Sequence, residues 1–479
     1  KTILKNTGSG FSTRSASFIK KPSASRREGI PMRCLDKLPE SATVVGRMVL
    51  EGKLRAVSPL IIGGGRSIFG ESDIIVLKDK SGQPFIPASS LFGALKNAFA
   101  SYNYQGHEDD YEENELWFWG GEYTFKDEDN KCTKRICQSA LVLRDMMTVD
   151  KGSNALVTIR DGVKINRKTG MAEAKKKFDY EIVEPGAEFG FYMEVLVREP
   201  FNRALFRDYF NWIAAVLAEG DFAVGARTCQ GFGYCRLENM RAYEFDYQKR
   251  ADVVAWLAGD LAKNELRGYD PRQALQVFKT PNKRFQLKAQ FNIKSSLLIS
   301  AYTGAPQAPD KVHIRSRNSS GTAEIPVVPG TSLRGAIRSR AEKIVNTLMG
   351  NGTEELKELF GWVDDRPGQQ DDTKPRRGKI KVKEKNITPE TCTEEVQYRV
   401  KIDRFTGGVM ENYLFDSMPL WSKGNHGAAV NLELSIDDCD DWEAGLMLLV
   451  LKDLWTGDLA IGGEKNVGRG TLQGILIPA

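Results

Sequence analysis

The sequence predicts an α+β protein made of two tandem ferredoxin-like domains with inserted hairpins and loops. Two observations carry that prediction. First, Gly220-Asp221-Phe222-Ala223-Val224-Gly225, followed by Gly231-Phe232-Gly233, recurs 237 residues later as Gly457-Asp458-Leu459-Ala460-Ile461-Gly462, followed by Gly468-Arg469-Gly470. The same shift maps Lys164-Ile165-Asn166-Arg167-Lys168-Thr169-Gly170 onto Lys401-Ile402-Asp403-Arg404-Phe405-Thr406-Gly407. A period this long is duplication of a whole domain, since solenoid units repeat every ~20–50 residues. Second, each copy reads strand, helix, strands, helix, strand, the order of a ferredoxin-like unit.

Taken in order, residues 1–43 form a basic arm, rich in Ser, Gly and Pro, whose composition predicts little order. The first domain spans 44–245, a helical and basic connector 246–284, and the second domain 285–479. Val44 to Ile62 and Phe285 to Ile299 read as opening strands. A helix then starts at Pro87-Ala88-Ser89-Ser90-Leu91-Phe92-Gly93, matched by Pro329-Gly330-Thr331-Ser332-Leu333-Arg334-Gly335. Ser or Thr beside Pro is expected to cap its first turn, and Gly93 and Gly335 to let the helix lie close to another backbone. A second helix shows an apolar stripe of Leu205, Tyr209, Trp212 and Val216 in the first copy, and of Trp442, Leu446 and Leu449 in the second. Two inserts break the symmetry, His107 to Glu115 and Arg366 to Asn386, and both are expected on the surface. The second is the better candidate for contact with nucleic acid.

With 41% hydrophobic and 27% charged residues, the composition is that of a soluble globular protein, and no apolar stretch is long enough to span a bilayer. The net charge of +5 is unevenly placed: residues 1–40 hold nine Lys/Arg against three acids, leaving the remainder at −1. A polyanion site in the folded part must therefore be a local cluster. Seven scattered cysteines point to reduced thiols and a cytoplasmic protein, and Cys132 and Cys137, with no second pair, make a poor zinc site.

Three duplicated features carry candidate chemistry. The glycine-rich loops, with Arg227, Gly231 and Gly233 in one copy and Gly468, Arg469 and Gly470 in the other, read either as tight turns or as cradles for phosphate. A nucleotide-binding P-loop is excluded because the second loop lacks the Lys-Ser/Thr ending. Lys164 and Arg167, with Lys401 and Arg404, sit in hairpin segments, either solvated or against an RNA backbone. Asp73 pairs with Asp310 at the common shift, in loops otherwise dissimilar. Such an Asp either caps a turn, holds a divalent metal, or acts as base toward a ribose 2′-hydroxyl. His313, beside Asp310, corresponds to Val76, so no shared mechanism can require it.

In this order the Asp loop, the Ile-Pro-Ala-Ser-Ser-Leu-x-Gly helix start, the Lys-Ile-Asn/Asp-Arg-x-Thr-Gly segment and the glycine-rich loop resemble the RAMP superfamily of CRISPR proteins. The nearest likeness is to backbone subunits of the Cas-seven type in type III effectors, with two domains fused as in type III-D. The resemblance implies an RRM-like palm that binds guide RNA, and a thumb hairpin that interrupts the duplex between guide and target. It also implies that Asp73 and Asp310 promote cutting of single-stranded target RNA with a divalent metal, Mg2+ or Mn2+. Ser89, Ser90, Lys96, Ser332, Arg334 and Arg338, with the two glycine-rich loops, would hold the guide. Other effector subunits are the implied partners, and no membrane is involved. A scaffold that binds guide without cutting, and a nuclease that processes guides, are the competing readings. Copy two departs from copy one in lacking Gly63-Gly64-Gly65 and in placing Lys311-Val312-His313 after its Asp.

Overall fold

The computed structural model describes residues 34–35, 43–66, 72–100, 102–104, 111–126, 132–149, 157–167, 169–199, 201–272, 278–279, 283–301, 307–362, 377–423 and 429–474. Nearly all of the arm, and residues 107–110 and 366–376 of the two inserts, lie outside the described residues.

The first copy runs β1 (Val44–Ala56), β2 (Gly63–Arg66), β3 (Ile74–Val76), α1 (Ala88–Phe99), β4 (Leu141–Leu143), β5 (Val157–Ile165), β6 (Ala172–Val183), β7 (Glu188–Arg198), α2 (Arg203–Glu219), β8 (Phe222–Ala223) and β9 (Tyr234–Asp246). The second runs β10 (Phe285–Ile293), β11 (Ser300–Ala301), β12 (Lys311–His313), α3 (Gly330–Met349), β13 (Ile380–Val382), β14 (Gln397–Ile402), β15 (Val409–Met418), β16 (Ala429–Ile436), α4 (Asp441–Thr456) and β17 (Leu472–Gly474). Each copy builds one antiparallel palm sheet, ordered β8-β9-β1-β7-β4 in the first and β17-β10-β16-β13 in the second. In both, the fourth palm strand lies beside the first, then the third, then the second, which is the predicted ferredoxin-like arrangement.

Helix α2 buries Leu205, Phe206, Tyr209, Trp212, Ile213 and Val216 against the first sheet. Each such side chain contributes roughly 1.5–3 kcal/mol on burial. The Asn202 side chain accepts from the Leu205 amide at its start, and Gly220 at φ 74° stops it. Helix α4 opens with a capping box between Asp440 and Glu443 and stops at Gly457, φ 85°. The first glycine of each repeated loop is thus a helix stop. The stripe expected on α4 is shifted: Leu446, Met447, Val450 and Leu454 are buried, whereas Trp442 and Leu449 face outward. Its alternation fits two helical faces, and only the docked sheet selects one.

Three further expectations are corrected. Pro87 and Pro329 stand at the N-caps of α1 and α3 with no side-chain cap, and in α1 Asp145 accepts from the Ala88 amide instead. Gly93 and Gly335 have no neighbour among the described residues where a Cβ would project, so neither serves a close approach to them. The insert ending at Asn386 is not all surface: Ile380 and Val382 are fully buried in palm strand β13. In the other insert, 111–115 begin a helix in which Asn114 is buried and accepts from the Asn202 amide. The connector packs back on the first copy through Ala255, Trp256 and Phe278.

The copies meet where the first glycine-rich loop and thumb hairpin reach the second palm. Gly231 abuts the backbone of residues 382–384, and Gly330 abuts Gln230. Arg160 of β5 forms a two-pronged ion pair with Glu384 at 2.7 and 3.2 Å, both side chains buried. Glu184 accepts from the hydroxyls of Thr158 and Ser316 and from the Arg317 amide, stitching the same joint.

Candidate nucleic-acid interface and cleavage site

Between the second and third palm strands each copy inserts a hairpin, β5–β6 in the first and β14–β15 in the second. The repeated Lys-Ile-Asn/Asp-Arg-x-Thr-Gly segment forms its tip. Asn166 accepts from the Thr169 amide, and Asp403 accepts from the amides of Phe405 and Thr406. Gly170 and Gly407 take the left-handed φ of 71° and 70° that this turn demands. Turn chemistry therefore explains the Asn/Asp, Thr and Gly of the motif, but not its cations. Arg167 reaches α3 of the second copy and pairs with Glu342 at 2.6 Å. Lys164 pairs with Glu173, Lys401 lies over the Tyr413 ring, and Arg404 is exposed.

The Asp loops join these hairpins. In the first copy the strand order is β5-β6-β3-β2, and in the second β14-β15-β12-β11. β2–β3 begins with Gly63 opposite Val76, and β11–β12 with Ser300 opposite His313, the same positions under the 237-residue shift. The three-glycine run is therefore dispensable to the architecture. Asp73 and Asp310 are exposed at the start of the inner strand, where it begins to run parallel to the hairpin. Each meets a second aspartate that sequence reasoning missed. The Asp73 amide donates to Asp179 Oδ1 at 2.9 Å, and the Asp179 amide donates to Asp73 Oδ2 at 3.1 Å. The Asp310 amide donates to Asp416 Oδ1 at 2.6 Å, and the Asp416 amide returns to Asp310 Oδ2 at 3.4 Å. A signal was present: Phe178-Asp179 recurs as Phe415-Asp416 at the common shift.

Among the described residues no group of three or more His, Cys, Asp or Glu side chains is placed to hold a metal ion. Asp73 and Asp310 each present the carboxylate oxygen that the exchange of hydrogen bonds leaves over. Hard oxygen donors of this kind fit a divalent cation that keeps several waters and takes its remaining ligands from phosphate. The surroundings of the pairs differ. Glu181 accepts from the Val76 amide and pairs with Lys78 near Asp73, while Glu464 gathers Lys311, Arg399 and Arg469 near Asp310. Position 227 is Arg where position 464 is Glu, both left-handed at φ 57° and 53°.

The glycine-rich loops owe their glycines mainly to the fold. At Gly233 and Gly470, φ 81° and 79°, a Cβ would strike the carbonyl oxygens of Val224 and Ile461. Arg227 stacks on Tyr180 and Phe178 at 4.3 and 5.0 Å. Arg469 is buried and donates to Gln397 and Ser417, so its guanidinium braces the loop from inside. Gly468 faces open space.

Two arginines of the expected set lie near the start of α3. Arg334 donates to the Phe360 carbonyl, and Arg338 lies 5.7 Å over the Phe360 ring. Burial, with Arg167 and Arg334 close by, pushes the Arg338 guanidinium down to about 10. The Nε atoms of both arginines are buried with no hydrogen-bond partner among the described residues. Lys465 is likewise held below the usual ammonium range, by desolvation and then by Lys343. Sequence places Arg167 and Arg338 far apart; the docking of the copies brings them together. In the first copy Lys96 donates to the Gly120 carbonyl, Ser89 is exposed and Ser90 is half-buried; in the second, Ser332 is half-buried on the first turn of α3.

His313 is structural. At 1% exposure, its Nδ1 accepts from the Ile299 amide and its Nε2 bonds the Val327 carbonyl, and burial pushes it down to about 4. An unfolded chain protonates this side chain below about pH 6.5, which the folded chain resists to about 4, so stability falls as pH falls through that window. We expect a loss of roughly 2 kcal/mol between pH 7 and 5 from this group. Urea midpoints should fall less steeply with pH in His313→Gln.

A family model described as the RAMP superfamily matches residues 53–236 and 309–473, one region in each copy. No curated protein matches the chain. No helix among the described residues is long and apolar enough to cross a membrane.

Proposed function

The chain belongs to the RAMP superfamily of CRISPR-associated, RNA-binding proteins, and on that premise we propose that it is a double backbone subunit of a type III effector that cuts target RNA at two places. The observation that carries this reading is the placement of Asp73 and Asp310, in both copies, at the joint between Asp loop and thumb hairpin. Guide RNA runs along the cluster of Arg167, Arg334 and Arg338, with Lys343 and Lys465 extending it. Among the described residues that act on Arg338, two are guanidiniums, Arg167 and Arg334, and one is an acid, Glu342, an excess that favours a polyanion, whose binding releases counterions.

At each site the Asp carboxylate takes the proton of a target 2′-hydroxyl. That oxygen forms a bond to the adjacent phosphorus while the bond from phosphorus to the 5′-oxygen breaks. The departing 5′-oxygen takes a proton from water and the Asp passes its own to solvent, so the products carry a 2′,3′-cyclic phosphate and a 5′-hydroxyl. A divalent cation held with Asp73 or Asp310 would stabilise the charge developing on the phosphoryl oxygens. Ser89, Ser90, Lys96, Ser332, Lys164, Lys401 and Arg404 contact backbone, and Arg227, Gly231, Gly233, Gly468, Arg469 and Gly470 shape the loops beneath it.

The test is to assemble the chain with guide and partner subunits and supply end-labelled target. Two metal-dependent cuts at a fixed interval support the reading; a bound but intact target leaves a scaffold. For guide binding, Arg338→Ala should weaken affinity about equally for all guide sequences. It should also make the slope of log K against log salt shallower by about 0.7, one single-strand phosphate contact.

A further inference from the structure

We propose that Asp179 and Asp416 are the positioning residues of the two cleavage sites, holding Asp73 and Asp310 at the base of each thumb; the inference rests on the cutting role given above. In both copies the partners are 106 residues apart and make the same reciprocal pair of amide-to-carboxylate hydrogen bonds. The geometry has a definite cause. Parallel pairing begins at Ile74 with Tyr180, and at Lys311 with Ser417. The amides one residue upstream, those of the four aspartates, lie before the ladder begins, and each takes its acceptor from the carboxylate across the gap. The clasp thus fixes each Asp side chain through one oxygen and leaves its other oxygen without a hydrogen bond among the described residues.

It also couples two elements that must agree for cutting. Asp73 and Asp310 belong to palm loops, whereas Asp179 and Asp416 belong to the inner strands of the thumbs. The loops before Asp73 and Asp310 share almost nothing in sequence, so the clasp is what places the two carboxylates alike. An Asn in the positioning role would keep an acceptor oxygen for the same amide, so the hydrogen bond survives the loss of the charge.

The test uses the assembled complex with guide and a target whose two cuts are resolved separately. Target affinity, single-turnover rate at each cut, and the rate at the other cut are read for Asp179→Ala, Asp179→Asn, Asp416→Ala and Asp416→Asn, with Asp73→Ala and Asp310→Ala as references. Each Ala variant should slow its own cut by about 10–100-fold, with target affinity and the other cut unchanged. Each Asn variant should recover most of that rate. The untouched cut reports that the assembly is folded. If Asp73→Ala abolishes its cut while Asp179→Ala leaves it at full rate, the positioning role is wrong. It is equally wrong if Asp179→Ala weakens target binding and slows both cuts together, which is what a merely structural strand would do. If Asp73→Ala and Asp310→Ala leave both cuts intact, the cutting reading fails and the positioning role with it.

Discussion

Replacing Asp73 with Ala is expected to remove one of two cuts in the target RNA and leave the other, while Asp310→Ala does the reverse. General-base assistance is worth about 10²–10⁴-fold, and loss of a metal-binding carboxylate adds to it, so the affected product should fall by at least about 100-fold. Binding of the target should not change, because both side chains are exposed at strand starts and bury nothing. Asp73→Ala/Asp310→Ala should yield a complex that binds and does not cut. The copies need not be equally fast. Glu464 collects Lys311, Arg399 and Arg469 near the second site, whereas the first has Lys78 with Glu181. Persistence of both cuts in the double variant would leave guide binding as the whole of the chain's role.

The second large effect concerns the joint between copies. Arg160 and Glu384 have side chains only 4% and 5% exposed, and their pairing spans the first thumb and the second palm. Glu384→Ala strands a buried guanidinium whose alternatives are the Phe232 face, 5.9 Å away, and its neighbour Glu184. Removing one partner of a buried pair costs roughly 3–5 kcal/mol, whereas Arg160→Met/Glu384→Leu should recover most of it. Urea denaturation followed by tryptophan fluorescence would show a lowered first transition in the single variant and its return in the double. A single variant as stable as wild type would mean that water reaches the pair.

Much of the palm was legible because its signals are local. The strand and helix patterns and the paired hairpin segments each act within a few residues, and duplication doubled them, although the helix stops at Gly220 and Gly457 and the Asx turns at the hairpin tips went unread. The Trp442–Leu449 stripe and the surface reading of Ile380 and Val382 failed because both depended on which face a neighbouring element would cover; the Ser/Thr caps failed locally, since Pro87 and Pro329 take the N-cap positions and leave Ser89 and Thr331 inside the first turn. The candidate site was half legible. Duplication singled out Asp73 and Asp310 and set His313 aside, but Asp179 and Asp416 went unread although Phe178-Asp179 and Phe415-Asp416 obey the same shift.

The sequence by itself determined the number of domains, their strand and helix order, the turn chemistry of the thumbs and the pairing of Asp73 with Asp310. Only the tertiary structure decided which aspartate clasps which, that Arg167 joins Arg338, and that Arg160 finds Glu384. Those partners are 106, 171 and 224 residues apart. Side-chain periodicity reports a residue's own face, whereas a contact at such separation exists only after the thumb has paired with the Asp loop and the two copies have docked.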